Sequence, residues 1–269
     1  MSSKPKLFLH NHPVSSYAQK VRIALREKGI DFDYTTPKGL GSGHGAPTLD
    51  PINPRVEVPA LEDGNFKIFD STVILAYIED KYPEKPLLPK NPQARATARM
   101  IEDVCDNEYE AVNWTYAEIA WAERATGEHA QRLIAGVKQQ TAEIQAWLSE
   151  KLGEQQYFCG DEFSYADVCV APMLNRSVNY GFGPVEGSPL QLWHARIKER
   201  PSVKATFEEM EEGAKVMSKG MKAMFTEGPN KRQYRSHRLE MMVKLGGIDV
   251  VIEGLKRDNI RFGWPSADL

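Results

Sequence analysis

Cysteine is scarce in this chain: Cys105, Cys159 and Cys169 are the only three in 269 residues, widely spaced and without a C-x-x-C pair. An odd, scattered set excludes a disulfide framework and a cysteine-built zinc site. The six histidines, His10, His12, His44, His129, His194 and His237, show no H-x-x-x-H or H-E-x-x-H spacing, so no metal enzyme is expected. No apolar run approaches the ~20 residues that span a bilayer. The apolar stretch of MSSKPKLFLHNHP is too short for a signal peptide, and a cytoplasmic protein off the membrane is the expectation. A formal net charge of -3 leaves no electrostatic footprint for nucleic acid. What is present is 41% apolar content, enough for a sizeable core divided between two domains.

The most informative stretch is Val14 to Leu25, VSSYAQKVRIAL. Before it, Lys6 to His10 is apolar enough for a buried strand, and Asn11, His12 and Pro13 supply loop chemistry. Within it, Tyr17, Val21, Ala24 and Leu25 recur at helical spacing, with Gly29 as a stop. A helix start carries unpaired N–H groups and positive dipole character, so a hydroxyl placed there can stabilise an anion such as a thiolate. Ser16 and Gln19 match an S-x-x-Q capping box, which would occupy Ser16 and leave Ser15 to face a ligand; the alternative is that both serines only cap the helix. No cysteine precedes residue 105, so any sulfur at this helix start belongs to the ligand.

Asp31 to Thr36 reads as a second strand, giving β-α-β and a right-handed parallel crossover. Pro37 to Pro54, with KGLGSGHG at its centre, is a loop whose glycines lack the strand-to-helix context of a phosphate loop. Pro59 to Glu62 and Phe66 to Phe69 form a hairpin across Asp63-Gly64, and Asp70-Ser71 opens a further helix. Tyr82 to Pro92, YPEKPLLPKNP, contains four prolines and is the linker. Beyond it the reading is helical throughout: Gln93 to Arg124, Glu128 to Leu152, Tyr165 to Tyr180, Leu190 to Arg200 and Val203 to Lys219, with no comparable strand signal. The expected division is an α/β unit at 1–82, a linker at 83–92 and an all-helical unit at 93–269.

Four segments carry a family resemblance. SSYAQKVRIAL is similar to a Ser-x-x-x-x-(Lys/Arg)-Val-Arg pattern, NPRVEVPAL to Asn-Pro-x-x-x-Val-Pro-x-Leu, Asp70-Ser71 to an acid-hydroxyl helix start, and FSYADV to a Ser/Thr-x-x-Asp box. In this order they resemble the serine-type cytosolic glutathione transferases, over about the first 210 residues. The resemblance implies a thioredoxin-like N-terminal domain and an all-α C-terminal domain, with glutathione as cosubstrate, no metal and a homodimer.

Carried over residue by residue, it makes Ser15 the catalytic hydroxyl and Ser15, Ser16, Val58, Pro59, Asp70 and Ser71 the glutathione-binding set. A cis Val58-Pro59 bond would turn the Val58 amide outward, where an extended peptide can pair with it. Ser164 and Asp167 are a structural capping box worth about 1 kcal/mol. Two departures stand out: Val56 occupies the family's usual glycine, and Glu57 lies beside the tripeptide where an uncharged or basic residue is common. For the glycine carboxylate of glutathione, Lys38, His44 and Arg55 are the candidates. The segments NHPVSSYAQKVRIAL and IFDST with the long tail look most like the fungal class related to bacterial lignin β-etherases.

An apolar acceptor pocket is expected between the serine loop and the first long helix after the linker, formed by Pro13, Val14, Tyr109, Asn113, Trp114, Tyr116 and Ala117. Its aromatic density suits an aromatic electrophile, taken by conjugation or by thiol-dependent ether or ester cleavage. The rival functions are a carrier of aromatic compounds with weak turnover and a structural module of a larger assembly. The tail after Lys219 would dock on the dimer or cover the pocket, and its basic run, Lys231 to Arg235, reads as a solvated face.

Overall fold

The computed structural model describes residues 6–40, 48–228 and 230–263. Strand β1 (Leu7–His10) pairs in parallel with β2 (Phe32–Thr35) across helix α1 (Ser16–Lys28). The helix stops at Gly29, whose φ of 68° is left-handed and whose N–H returns to the Arg26 carbonyl. Strands β3 (Ala60–Asp63) and β4 (Phe66–Phe69) form the expected hairpin, and β3 runs antiparallel to β1. The mixed sheet has the order β2-β1-β3-β4, followed by helix α2 (Ser71–Lys81). Leu7, Leu9, Val21, Leu25, Leu61, Ile68, Ile74 and Ile78 join sheet and helices in one buried cluster. Each such side chain contributes about 1.5–3 kcal/mol on burial.

Beyond the proline-rich segment come α3 (Pro92–Val104), α4 (Glu110–Ala120), α5 (Gly127–Leu152), α6 (Tyr165–Asn179), α7 (Pro189–Lys198) and α8 (Pro201–Lys222). A thioredoxin-like unit with a mixed sheet thus precedes a helical one. Ile23 and Ala24 of α1 are buried in the core of the helical unit, so that helix belongs to both. In the Ser164-Asp167 box, the fully buried Asp167 carboxylate takes the Ser164 N–H at 2.8 Å and the Trp193 indole N–H at 2.7 Å. Among the described residues, no helix is long and apolar enough to cross a membrane.

Three expectations are corrected. Helix α1 is capped by Ser15, not Ser16: Ser15 has extended backbone angles and its hydroxyl accepts the Ala18 N–H at 3.3 Å. Ser16 is already helical, and Gln19 packs inward with both side-chain amide atoms unpaired, so no capping box forms there. Second, the helix expected over Gln93 to Arg124 is interrupted by a π-helical turn, Cys105–Tyr109, in which the Glu110 N–H reaches back five residues to Cys105, and it ends at Ala120. The wider turn holds one extra residue and rotates everything after it.

Third, the tail is not simply helical. After a second π-helical turn, Ala223–Glu227, strand β5 (Arg232–Tyr234), helices α9 (Ser236–Lys244) and α10 (Ile248–Lys256), and strand β6 (Ile260–Phe262) follow, and β5 pairs in parallel with β6. The basic run is no solvated face. Arg232 pairs at 2.5 Å with the fully buried Glu118, and the Tyr234 ring is buried edge-on against Trp114. Local sequence carries no record of Glu118, 114 residues away.

Candidate functional site

Two cavities meet beside the start of α1, and Tyr17, Glu57, Val58 and Arg235 line both. The first, about 570 Å³, lies between the loop ahead of β3, the start of α2, and α3. The second, about 530 Å³, lies between the serine loop, α8 and the tail.

Backbone groups shape the first cavity. Asn53 is buried and staples the loop, donating to the Glu57 carbonyl at 2.8 Å and accepting the Arg55 N–H at 2.9 Å. The following Val58-Pro59 bond is cis. Among the described residues, neither the N–H nor the C=O of Val58 finds a backbone partner, and Val58 and Pro59 both line the cavity. Opposite them, Asp70 sits at φ 78°, a conformation costing a non-glycine residue about 1–3 kcal/mol. Its carboxylate caps α2 by accepting the Thr72 N–H at 3.0 Å and meets Arg55 at 3.4 Å. The Ser71 hydroxyl has no hydrogen-bond partner among the described residues and borders the same space.

A charged floor closes this cavity, and sequence reading missed it. Lys20 is fully buried, 3.0 Å from Glu102 and 2.6 Å from Asp106, and Tyr165 donates to the other Glu102 oxygen at 2.8 Å. Burial works against the Lys20 charge, but the carboxylates outweigh it and its pKa is raised. Burial pushes the Asp106 carboxyl up to about 6, against the pull of Lys20. Tyr17 donates its hydroxyl to the Asp106 carbonyl at 2.6 Å, which ties α1 to the π-helical turn. The Lys20 to Asp106 pairing spans 86 residues, so spacing gives no hint of it.

Ser15 opens onto the second cavity and not the first. Its oxygen accepts from Ala18, which leaves the O–H to donate. Ser16 is buried and its hydroxyl accepts a long 3.4 Å contact from Arg176. Pro13 and Val14 form one wall, and α8 approaches closely because residue 213 is glycine: a Cβ there would stand 2.8 Å from the Pro13 ring. Trp114 lies deeper, between the Arg232 and Arg238 guanidinium groups at 5.1 and 5.3 Å from its ring. Glu110 anchors the tail to α4: its carboxylate accepts from Arg238 at 2.6 Å and from His237 at 3.0 Å. Burial opposes that charge, yet the Arg238 guanidinium and the hydrogen bonds from His237 and Arg238 hold the Glu110 carboxyl well below the usual range.

Of the seven residues expected around an acceptor pocket, Pro13, Val14 and Trp114 line this cavity. The structure places the other four elsewhere. Tyr109 is in the core, bonded to Ser177 at 2.6 Å, and Asn113 donates to the Met173 carbonyl at 3.0 Å. Tyr116 stacks on Tyr180 at 4.3 Å, and Ala117 packs among Ala122, Met221 and Phe225. The π-helical turn rotates α4, so uninterrupted helical spacing assigns the wrong face. Of the three candidates for the glycine carboxylate, Arg55 lines the first cavity, Lys38 is exposed and lines neither, and His44 lies outside the described residues. Glu57 separates the two cavities and accepts Gln233 of the tail at 2.8 Å.

Comparison with known proteins follows the same architecture. Residues 9–86 match the family described as glutathione S-transferase, N-terminal domain, and residues 119–196 match glutathione S-transferase, C-terminal domain. Glutathione S-transferase 1 of Dianthus caryophyllus is 32% identical over 184 residues, covering 68% of this chain and 81% of that protein. A stringent starvation protein A homolog of Coxiella burnetii is 28% identical over 213 residues, 78% of this chain and 96% of the relative. The solved structure of a rice glutathione S-transferase in complex with glutathione has a TM-score of 0.65 at 28% identity, covering 81% of this chain and 100% of that one. A mixed four-stranded sheet, a cis-proline loop facing an acid-hydroxyl helix start, and a helical unit matched along most of its relatives' length place this chain in the glutathione S-transferase family.

Proposed function

We propose that the chain binds glutathione in the first cavity and activates its thiol at Ser15 for attack on a hydrophobic aromatic electrophile held in the second. The observation that carries this reading is the junction: Val58, with an unpaired backbone amide, lines both cavities, and Ser15 stands at the helix start beside it. An extended tripeptide pairs with Val58 as an added strand. Its γ-glutamyl carboxylate meets the α2 start and the Ser71 hydroxyl, where backbone N–H groups favour an anion. The ammonium group beside that carboxylate faces the acidic floor of Glu102, Asp103 and Asp106. Arg55 is the remaining cation of the loop for a second carboxylate. The exposed apolar side chains Phe66, Val73 and Met100, on β4, α2 and α3, are in keeping with a homodimer.

Ser15 donates to the thiolate, and the α1 dipole assists. The gain from ionisation alone is small. A thiol of pKa ~8.5 is about 3% ionised at pH 7, and lowering the pKa by about two units raises the thiolate roughly 25-fold. Nucleophilicity falls with a slope of about 0.4–0.5, which returns a factor of about 8 to 10 and leaves roughly threefold. Positioning the electrophile against the sulfur supplies the larger share. Titration of thiolate absorbance in the glutathione complex is the test. Ser15→Ala raises the thiol pKa and Ser16→Ala leaves it near the wild-type value; an unmoved titration in Ser15→Ala removes Ser15 from this role.

The second reading, a carrier of aromatic compounds with slight turnover, draws on the structural duty of Ser15, whose oxygen is already engaged as the α1 cap. Turnover with a chloronitroaromatic electrophile separates the two, since tight aromatic binding without thioether product favours the carrier. Conjugation against ether cleavage, and kinship with the etherase-related fungal class, are settled by assaying a β-aryl ether beside that electrophile.

A further inference from the structure

The second cavity carries a charge pattern that an apolar acceptor alone does not need. Six cations line it, Arg176, Lys231, Arg232, Arg235, Arg238 and Arg261, against the carboxylates Glu57 and Glu110. Four of the six have a carboxylate of their own: Lys231 with Asp258, Arg232 with Glu118, Arg235 with Glu57 and Arg238 with Glu110. Arg176 and Arg261 have none within ion-pair distance among the described residues. Arg176 is 9% exposed and donates only to neutral oxygens, the Tyr180 hydroxyl at 2.8 Å and the Ser16 hydroxyl at 3.4 Å. The Arg261 side chain makes no hydrogen bond among the described residues, and its Nε is buried without a partner.

A buried guanidinium without a counter-charge is costly and is normally paired. Arg176 from α6 and Arg261 from β6 line the same space. Arg176 is the buried one; Arg261 is partly buried and feels the charges of Glu57 and Asp50 without forming an ion pair with Glu57. His12 on the cavity wall registers the resulting field: burial together with the charges of Arg176 and Arg22 pushes its pKa down to about 4. Its Nδ1 accepts the Val14 N–H at 3.2 Å, which also holds the ring neutral. Apolar surface completes the space, with Val216 76% and Met224 42% exposed at its rim.

We propose that the second cavity selects aromatic anions, a flat apolar body seated against Pro13, Met217 and Phe225 with a carboxylate or sulfonate held between Arg176 and Arg261. As a statement about the acceptor substrate this rests on the transferase reading; as a binding preference it does not. The tail supplies Arg261 and so sets the ligand class of a cavity whose reactive hydroxyl lies 246 positions earlier, at Ser15.

Fluorescence titration with 1-anilinonaphthalene-8-sulfonate and its uncharged parent N-phenyl-1-naphthylamine, without glutathione, tests the preference. At low ionic strength the sulfonate binds about tenfold more tightly, equivalent to about 1.4 kcal/mol, and added NaCl weakens only the sulfonate. Arg261→Gln, at a side chain that bonds nothing, cuts the ratio severalfold while the neutral probe keeps its affinity, and Arg176→Gln with Arg261→Gln brings it near one. Equal affinities in the wild-type protein, or a ratio unchanged in both variants, overturn the proposal. Calorimetry of glutathione on the same protein reports on the transferase reading alone, so the two failures are told apart.

Discussion

One wall of the first cavity is backbone over residues 53–71, where a cis proline, a stapled loop and a capped helix start follow one another above the side-chain floor of α3, whereas the second is assembled from side chains reaching from residues 12 to 261. A backbone cradle fits one extended ligand and tolerates surface change. The proposed anion preference of the second cavity rests instead on side chains, several of them gathered from the tail. Ser15, the proposed thiolate partner, lines the second cavity beside Tyr17, Glu57 and Val58, which border both.

The largest expected effect separates the two parts outright. Glu118 is fully buried and holds Arg124 at 3.0 Å and Arg232 at 2.5 Å, and Arg124 in turn binds the Asn259 carbonyl at 3.0 Å. Glu118→Gln leaves two cations without their counter-charge, at a cost of about 3–5 kcal/mol. Urea unfolding measures that loss. Proteolysis then cuts within 230–263 first, and aromatic-probe binding falls while glutathione binding persists. Equal loss of both ligands would show that the cavities form a single unit.

Acidification acts next, through His12. Its pKa of about 4 in the folded protein is depressed from about 6.5, so the folded state prefers the neutral ring. Below pH 6.5 the unfolded chain binds a proton that the folded chain refuses, and stability falls as pH drops from 6.5 towards 4. At 1.36 kcal/mol per pKa unit this amounts to about 3 kcal/mol. Unfolding curves at pH 7 and pH 4 measure it, and His12→Asn, which cannot titrate, has a correspondingly flatter dependence. Ligand occupancy sharpens the comparison, because a bound anion offsets the field of Arg176 and narrows the pH effect.

Ser15 and Ser16 give the next effect. Ser15→Ala removes a helix cap and costs about 1 kcal/mol. Ser16→Ala removes only a 3.4 Å contact with Arg176 and costs less in thermal unfolding. The reverse order would restore the S-x-x-Q box expected from sequence.

That box shows how far local sequence reaches. Strand, loop and helix at 7–28, the hairpin at Asp63-Gly64 and the Asp70 start of α2 were all legible, because turn residues and periodicity act over a few positions. Which of two adjacent serines caps was not, since the choice rests on the burial of Gln19 and Ser16 by the helical unit. The face of α4 was hidden by the π-helical turn, whose residues CDNEY read like any helical run. The acidic floor and the arginine wall were hidden more deeply, because Lys20 with Asp106 and Arg232 with Glu118 are long-range pairs with no periodic signature.

Val56 yields the smallest effect and tests the boundary itself. It has φ 55°, a left-handed conformation that is unfavourable for a β-branched residue, at the position where the family's usual residue is glycine. Its side chain packs beside Leu49 and Ile52 and lines the second cavity, while its N–H bonds the Asn53 carbonyl at 2.9 Å within the loop that shapes the first. Val56→Ala loses the packing and keeps the conformational penalty. Val56→Gly also loses the packing but removes a penalty of about 1–2 kcal/mol, less about 0.5–1 kcal/mol for the extra freedom of glycine when unfolded. The glycine variant therefore unfolds later than the alanine variant, by roughly 0.5–1 kcal/mol. Glutathione affinity stays near wild type in both, because the backbone geometry is kept, and the aromatic probe binds both more weakly because a wall is gone. If the alanine variant proved the more stable, the freedom glycine gains in the unfolded chain would outweigh the strain at residue 56, and the left-handed turn of the first cavity's loop would not be a site of stored strain.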